Sequence, residues 1–263
     1  MISYVRIHIE DRPRGRVATV VIDRPAKLNS LPREAMDALI GAFRSLAAEP
    51  DLRCAVLTGA GDKAFIGGAD IEQMAALASP AEARAFIEKV HGCCQAIRDL
   101  PAPVVARING YCLGAGLEIA AACDLRLASD RALLGMPEVK LGLPSVVEAA
   151  LLPSLVGWGR TRWMLMTGET FSAEDALRWG LVEGVYPAEE LDLAIDALIT
   201  ALLEPEPRAV RLQKALMQRW EELPMTAAIQ AGIDAFEDAF RDEAPRRAMA
   251  EFLESRKAAK SGI

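Results

Sequence analysis

Two glutamates stand apart from their surroundings. Glu118 lies in NGYCLGAGLEIAAACD (109–124), a run dominated by glycine, alanine and aliphatic side chains, and Glu138 follows twenty positions later in ALLGMPEVKLG. An ionised side chain drawn into an apolar interior is costly unless something pairs it or its pKa moves. Glycine-rich turns precede Glu118 and also punctuate LTGAGDKAFIGGADIEQM (Leu57 to Met74), and both segments read as strand, glycine turn, helix. The first N–H groups of a helix lack intrahelical partners and sit at the positive end of its dipole. Each turn therefore offers a donor to an oxygen that gains negative charge, and two converging donors would form an oxyanion hole. Two carboxylates beside it would share general acid and base work, provided their environments hold their pKa values apart. Taken singly, each residue has a plainer reading. Glu118 alone would complement a helix dipole on a solvated face, Glu138 would end a strand, and Gly67, Gly68, Gly114 and Gly116 would be turn glycines.

The elements that must position these residues follow from periodicity. Alternating segments Tyr4 to Glu10 and Val17 to Asp23 predict an opening hairpin. A helix is expected over Pro32 to Ala48, with Ala35, Met36, Leu39, Ile40, Phe43 and Leu46 on one stripe. Strand Cys54 to Gly59, a Gly-rich loop, and a helix over Ala81 to Leu100 come next. Strand Pro103 to Ile108, the glycine turn with its short helix, and strand LRLAS then follow. Strands alternating with helices imply βαβ units with mostly parallel pairing. Beyond Ala188 the strand signal ends, and 188–203, 207–221, 224–243 and 245–259 read as amphipathic helices, with Phe236, Phe240 and Phe252 on the apolar stripes of the last two.

With 263 residues and 52% hydrophobic content the chain can bury the core of one large α/β domain, with or without an appendage. Its 37 acidic and 30 basic residues give a net charge of −7, the wrong sign for general affinity to nucleic acid or an anionic membrane. The five cysteines are odd in number and show no C-x-x-C spacing, so neither a disulfide framework nor a zinc site is predicted, and no metal. A reducing cytoplasm fits this cysteine usage, and no apolar run reaches the length of a membrane span.

The stretches KAFIGGADI, NGYCLGAGLEIAAACD and GMPEVKLGLP resemble the enoyl-CoA hydratase/isomerase (crotonase) superfamily, in its hydratase branch. The likeness begins at RPAKLNSL (Arg24 to Leu31), includes TGETFSAEDALRWGLVEGVYP (Thr167 to Pro187) and ends with FLESRK (Phe252 to Lys257). It implies an α/β crotonase-like spiral of ββα units over 1–187. A C-terminal helical region, 188–263, would form part of the acyl pocket and build a homotrimer, or a hexamer as a dimer of trimers. It implies an acyl-CoA thioester substrate and no cofactor beyond the coenzyme A that the substrate carries. The thioester oxygen would be held by the backbone N–H groups of Ala69 and Ala115, with Lys27, Gly67, Gly68, Asp70, Ile71, Glu72 and Gly114 around the substrate. By the same resemblance Glu138 would exchange the proton at the α-carbon, and Glu118 would hold and activate the water that attacks the β-carbon. The implied reaction is reversible syn addition of water to a trans-2-enoyl-CoA, giving a 3-hydroxyacyl-CoA, a step of fatty acid β-oxidation. The alternative is an enoyl-CoA delta-isomerase or another CoA-thioester lyase of the same superfamily. An isomerase needs one carboxylate and no water, and the presence of both glutamates favours hydration.

The chain departs from the family pattern in places. Ala115 stands where many members have glycine; only its amide is required, though the methyl narrows the pocket. GLPSVVEAALLP (Gly142 to Pro153) is one residue shorter than usual before Pro144. Glu148 is either a third active-site carboxylate or half of a capping box, and the S-x-x-E spacing from Ser145 favours the cap, as it does for Ser79 and Glu82. Lys27, Lys63, Arg256 and Lys257 are basic candidates for the CoA phosphates, each more simply read as surface charge. Gly59, Gly61 and Ala64 make a G-x-G-x-x-A dinucleotide fingerprint, but no helix of normal length opens behind them. The two histidines, His8 and His91, sit beside no plausible nucleophile, which argues against a Ser-His-Asp hydrolase. A scaffold without activity would have been free to lose both glutamates.

Overall fold

The computed structural model describes residues 4–261, with side chains through Arg256, so the Lys257 ammonium lies outside the described residues. An antiparallel hairpin opens the chain, β1 (Val5–Arg12) with β2 (Gly15–Ile22). Helix α1 (Arg33–Ala47) then buries Ala35, Met36, Leu39, Phe43 and Leu46, the expected stripe, with Ile40 at its margin. Strand β3 (Leu52–Gly59) runs parallel to β2, and from Cys54 onward every one of its residues is buried. A strand covered on both faces carries such an unbroken apolar run instead of an alternation.

From β3 the chain repeats one unit: a strand of a large sheet, a three-residue strand that leaves for a second sheet, then a helix. β3 is followed by β4 (Ala64–Ile66), α2 (Ile71–Ala75) and α3 (Pro80–Arg98). β5 (Val104–Ile108) is followed by β6 (Tyr111–Leu113) and α4 (Ala115–Ala122). β7 (Leu125–Ser129) is followed by β8 (Leu133–Gly135), 3-10 turns at Pro137–Leu141 and Val147–Leu151, and α5 (Leu152–Thr167). β9 (Thr170–Ser172), α6 (Ala173–Trp179) and β10 (Gly184–Tyr186) complete the series. The large sheet has the order β1-β2-β3-β5-β7-β10 and is parallel except at the hairpin. The small sheet has the order β4-β6-β8-β9, with β4, β6 and β8 parallel.

The small sheet is absent from the sequence expectations, because three residues carry no readable period. The strand expected to run through Glu138 ends at Gly135. Pro137, with no N–H to give a ladder, instead opens the 3-10 turn that holds Glu138.

Two compact units divide at Leu202/Leu203, fifteen residues beyond the boundary expected at 187/188. The shift has a physical cause in α7 (Leu191–Leu203): its apolar face buries Leu191, Ile195 and Ile199, while Arg107 and Arg12 pair with its Asp192 and Asp196. The second unit carries α8 (Pro207–Glu222), α9 (Met225–Ala239) and α10 (Ala244–Ser261), each within a few residues of the expected helices. Within it the Trp220 indole donates to the Ala228 carbonyl at 2.9 Å, and Arg208 pairs with both Asp238 and Asp242.

Candidate active site

Because β4, β6 and β8 are short, adjacent and parallel, their carboxyl ends lie side by side. The residues that follow them are Gly67 to Ala69, Gly114 to Ala115 and Pro137 to Glu138, and these meet at one cavity of about 390 Å³. Ligand sites of parallel sheets lie at this end for the same reason: the loops there converge while the strands hold them still.

Ala69 pairs with Leu31 in an isolated parallel bridge whose two hydrogen bonds use the Gly68 carbonyl (2.9 Å) and the Asp70 N–H (3.0 Å). The Ala69 N–H is thereby turned away from Leu31. Ala115 is the first residue of α4, so its N–H has no intrahelical partner. Both alanines line the cavity, so the two residues that carry these N–H groups stand on its wall. Two glycines make this possible. Gly114 has φ +52, and a Cβ there would strike Glu138 Oε1; a Cβ on Gly116 would strike the Ile66 carbonyl, so α4 packs directly on β4.

Glu118, on the first turn of α4, is buried and lines the cavity with Glu138. Burial pushes its carboxyl up to about 8, helped by the negative charges of Glu138 and Glu148, while the backbone N–H groups of Ala149 and Val146 nearby oppose the rise. Glu138 is half-buried and accepts a 2.8 Å hydrogen bond from the Ser145 hydroxyl at Oε2. That bond overturns the capping box expected from Ser145 to Glu148. Ser145 faces Glu138, the 3-10 turn begins without a side-chain cap, and Glu148 is buried with Oε1 2.7 Å from His91 Nδ1. At α3 the Ser79 hydroxyl does accept from the Glu82 N–H at 3.2 Å, although the Glu82 carboxylate reaches the Ala78 N–H, one residue earlier than the box requires.

Of the residues expected around the substrate, Gly67, Gly68, Ile71 and Gly114 line the cavity beside Ala69 and Ala115. Asp70 does not: its side chain is buried, caps α2 through the Gln73 N–H, and pairs with Arg24. Lys27 and Glu72 are exposed and form an ion pair with each other at 2.6 Å. The apolar wall was not foreseen. It comes from Phe86, Ile87 and Val90 of α3 and from Leu143, Pro144 and Val146, with Arg84 as its one cation. From the sequence α3 is expected only as a helix, and an apolar side chain such as Phe86 or Val90 looks the same locally on a core face and on a cavity face.

The turn bearing the dinucleotide fingerprint is closed from inside. The Asn29 amide donates to the Ala60 and Ala64 carbonyls and the Asn109 amide to the Gly59 and Gly61 carbonyls, and α2 opens only at Ile71. No helix start faces that turn, so it has no phosphate cradle of the dinucleotide type.

Two amide donors and two carboxylates around an apolar cavity are groups with which an enzyme can stabilise an oxyanion and move protons at neighbouring carbons. Comparison with known proteins is more specific. The model of the enoyl-CoA hydratase/isomerase family matches residues 12–261. The short-chain-enoyl-CoA hydratase of Clostridium acetobutylicum is 35% identical over 247 residues, 92% of this chain and 93% of that protein. The crotonyl-CoA hydratase of Syntrophomonas wolfei is 34% identical over 97% of this chain and 98% of its own length. The crystal structure of an enoyl-CoA hydratase from Mycobacterium smegmatis superposes with a TM-score of 0.90 at 31% identity, covering 95% of this chain and 96% of that one. The chain belongs to the enoyl-CoA hydratase/isomerase family, and its fold is the crotonase fold.

Proposed function

We propose that the protein is an enoyl-CoA hydratase, a hydro-lyase that adds water reversibly to a trans-2-enoyl-CoA and yields the 3-hydroxyacyl-CoA. The observation that carries the reading is that Glu118, Glu138, Ala69 and Ala115 share one cavity with apolar walls. The Ala69 and Ala115 N–H groups would receive the thioester oxygen and stabilise the enolate that forms as the double bond is attacked. In hydration Glu118 as carboxylate takes a proton from the water whose hydroxyl joins the β-carbon, and Glu138 delivers a proton to the α-carbon. In dehydration Glu138 takes the α-proton while Glu118, as the acid, protonates the departing hydroxyl. The elevated Glu118 pKa, about 8, matches this second state in the substrate-free site and keeps the group within reach of both states near neutral pH. This chemistry asks for no cofactor beyond the coenzyme A of the substrate.

The apolar wall supports an unsubstituted acyl chain as substrate and, with it, a role in fatty acid breakdown by β-oxidation. Exposed Trp158 and Met166 on α5, and Ile229, Ile233 and Phe236 on α9, support self-association of the chain as a homotrimer, alone or paired as a hexamer. All five cysteines are buried and outside any disulfide, which supports a reducing cytoplasmic location, and no helix among the described residues is long and apolar enough to cross a membrane.

The test is loss of the enoyl chromophore of crotonyl-CoA with mass detection of the hydrated product. Double-bond migration without gain of water would replace this reading with the isomerase one. Light scattering on the purified protein should return three or six times 28.4 kDa.

A further inference from the structure

Besides Asp70, which is paired with Arg24, the hydratase chemistry leaves a second buried carboxylate unused. Glu148 is nine-tenths buried, with Oε1 against His91 Nδ1 at 2.7 Å and Oε2 enclosed without a hydrogen-bond partner among the described residues. Its other close neighbour is the buried Cys94 thiol on α3, whose pKa is pushed well up by burial first and then by the charge of Glu148. His91 is also on α3, on the side that leaves half of its ring in solvent. The Glu148–His91 contact therefore ties the 3-10 turn Val147–Leu151 to α3.

That turn has an unusual backbone. Val147 sits at φ +38, a region that a β-branched side chain rarely enters, so its surroundings must impose it. Val146, just before it, lines the cavity with Glu118, and the Ala149 N–H closes the turn on the Val146 carbonyl at 2.9 Å. The His91–Glu148 tie is made one residue beyond that strained position.

We propose that His91 and Glu148 are positioning residues: their contact holds the strained turn so that its Val146 end stays on the cavity wall beside Glu118 and keeps that carboxylate oriented for proton transfer. The proposal rests on the hydratase reading and adds to it a pair that touches no substrate. The other charged group facing Glu118 is Glu138, across the cavity.

The experiment compares full-length wild type with His91→Ala, His91→Asn and Glu148→Gln in two measurements. One is the steady-state hydration of crotonyl-CoA, and the other is amide hydrogen exchange over 146–151 read by mass spectrometry. His91 is half-exposed, so both of its variants should fold, and thermal melting checks this. In His91→Ala, kcat should fall roughly tenfold or more with KM within about twofold, as expected for a misplaced catalytic group. Exchange over 146–151 should quicken, and the pH limb due to Glu118 should move upward as the backbone N–H groups near it withdraw. His91→Asn, which can still donate to Glu148, should restore most of kcat and most of the protection. Glu148→Gln, which keeps the acceptor, should lie between. Unchanged kcat or unchanged exchange in His91→Ala, or equal losses in the Ala and Asn variants, would overturn the proposal. If wild type adds no water to crotonyl-CoA, the hydratase reading falls, while the exchange data still decide whether the tie holds the turn.

Discussion

The Ser145 hydroxyl donates a 2.8 Å hydrogen bond to Glu138 Oε2, joining the segment after Gly142 to the carboxylate assigned to the α-carbon. Ser145→Ala removes one neutral donor from a half-buried acceptor, a loss of about 1 kcal/mol in orientation. The expected result is a fall in kcat for crotonyl-CoA hydration of roughly five- to tenfold with little change in KM. Wild-type kcat in this variant would mean that Glu138 is oriented by other contacts.

Glu118→Gln and Glu138→Gln keep the shape of each side chain and remove its ability to carry a proton. Each should lower kcat by about 10² to 10⁴, the usual worth of a general acid or base. Binding of a non-reactive thioester, measured calorimetrically, should stay within a few fold of wild type. Substantial turnover in either variant would reject the assigned roles.

Glu118 also makes stability depend on pH. Its pKa rises from 4.5 to about 8 on folding, so between those values the native state holds a proton that the unfolded chain has lost. Stability is therefore full at the acidic end of this window and falls as pH rises toward 8, by as much as about 5 kcal/mol if nothing compensates. Urea unfolding from pH 5 to 9 should show this decline in wild type and a flatter profile in Glu118→Gln.

Gly114→Ala tests the geometry of the second amide donor. A methyl at φ +52 would strike Glu138 Oε1, so the turn or the carboxylate must move. We expect kcat to fall by about 10² or more, as for loss of an oxyanion-hole donor. Retained activity would show that the turn tolerates the shift.

Arg24→Ala would leave the Asp70 carboxylate buried without its cation, next to Ala69. Loss of stability by about 2–3 kcal/mol is expected, measured by chemical denaturation at pH 7. Burial opposes ionisation of Asp70, but the hydrogen bonds from Arg24 and the Gln73 N–H outweigh it and hold its pKa below the usual carboxylate range. Such a group stabilises the fold above its unfolded pKa, about 3.9, and that contribution disappears as pH falls through the lower folded value. The stability gap between wild type and Arg24→Ala should accordingly narrow as pH falls and Asp70 takes up its proton.

Much of this molecule is local and could be read from the chain. Buried stripes on α1 and α3, the apolar runs of β3 and β5, and the helices after Pro207 each record their own burial in their residue types. The glycines before Ala69 and Ala115, and the misplaced polarity of Glu118, likewise announce donors and a carboxylate, because a positive φ and a buried charge leave marks in sequence.

What the chain could not announce is who faces whom. Strands β4, β6 and β8 are three residues each, too short to carry a pattern, and they exist because each pairs with the next across the sheet. That pairing alone brings three loops, distant in sequence, to one edge. Ser145 and Glu148 show the same limit: their spacing satisfies a helix cap, yet one hydroxyl turns to Glu138 and the other carboxylate to His91, fifty-seven positions away. Local composition thus set the elements and the reactive groups. Packing, which rewards buried pairs over sequence neighbours, chose their partners.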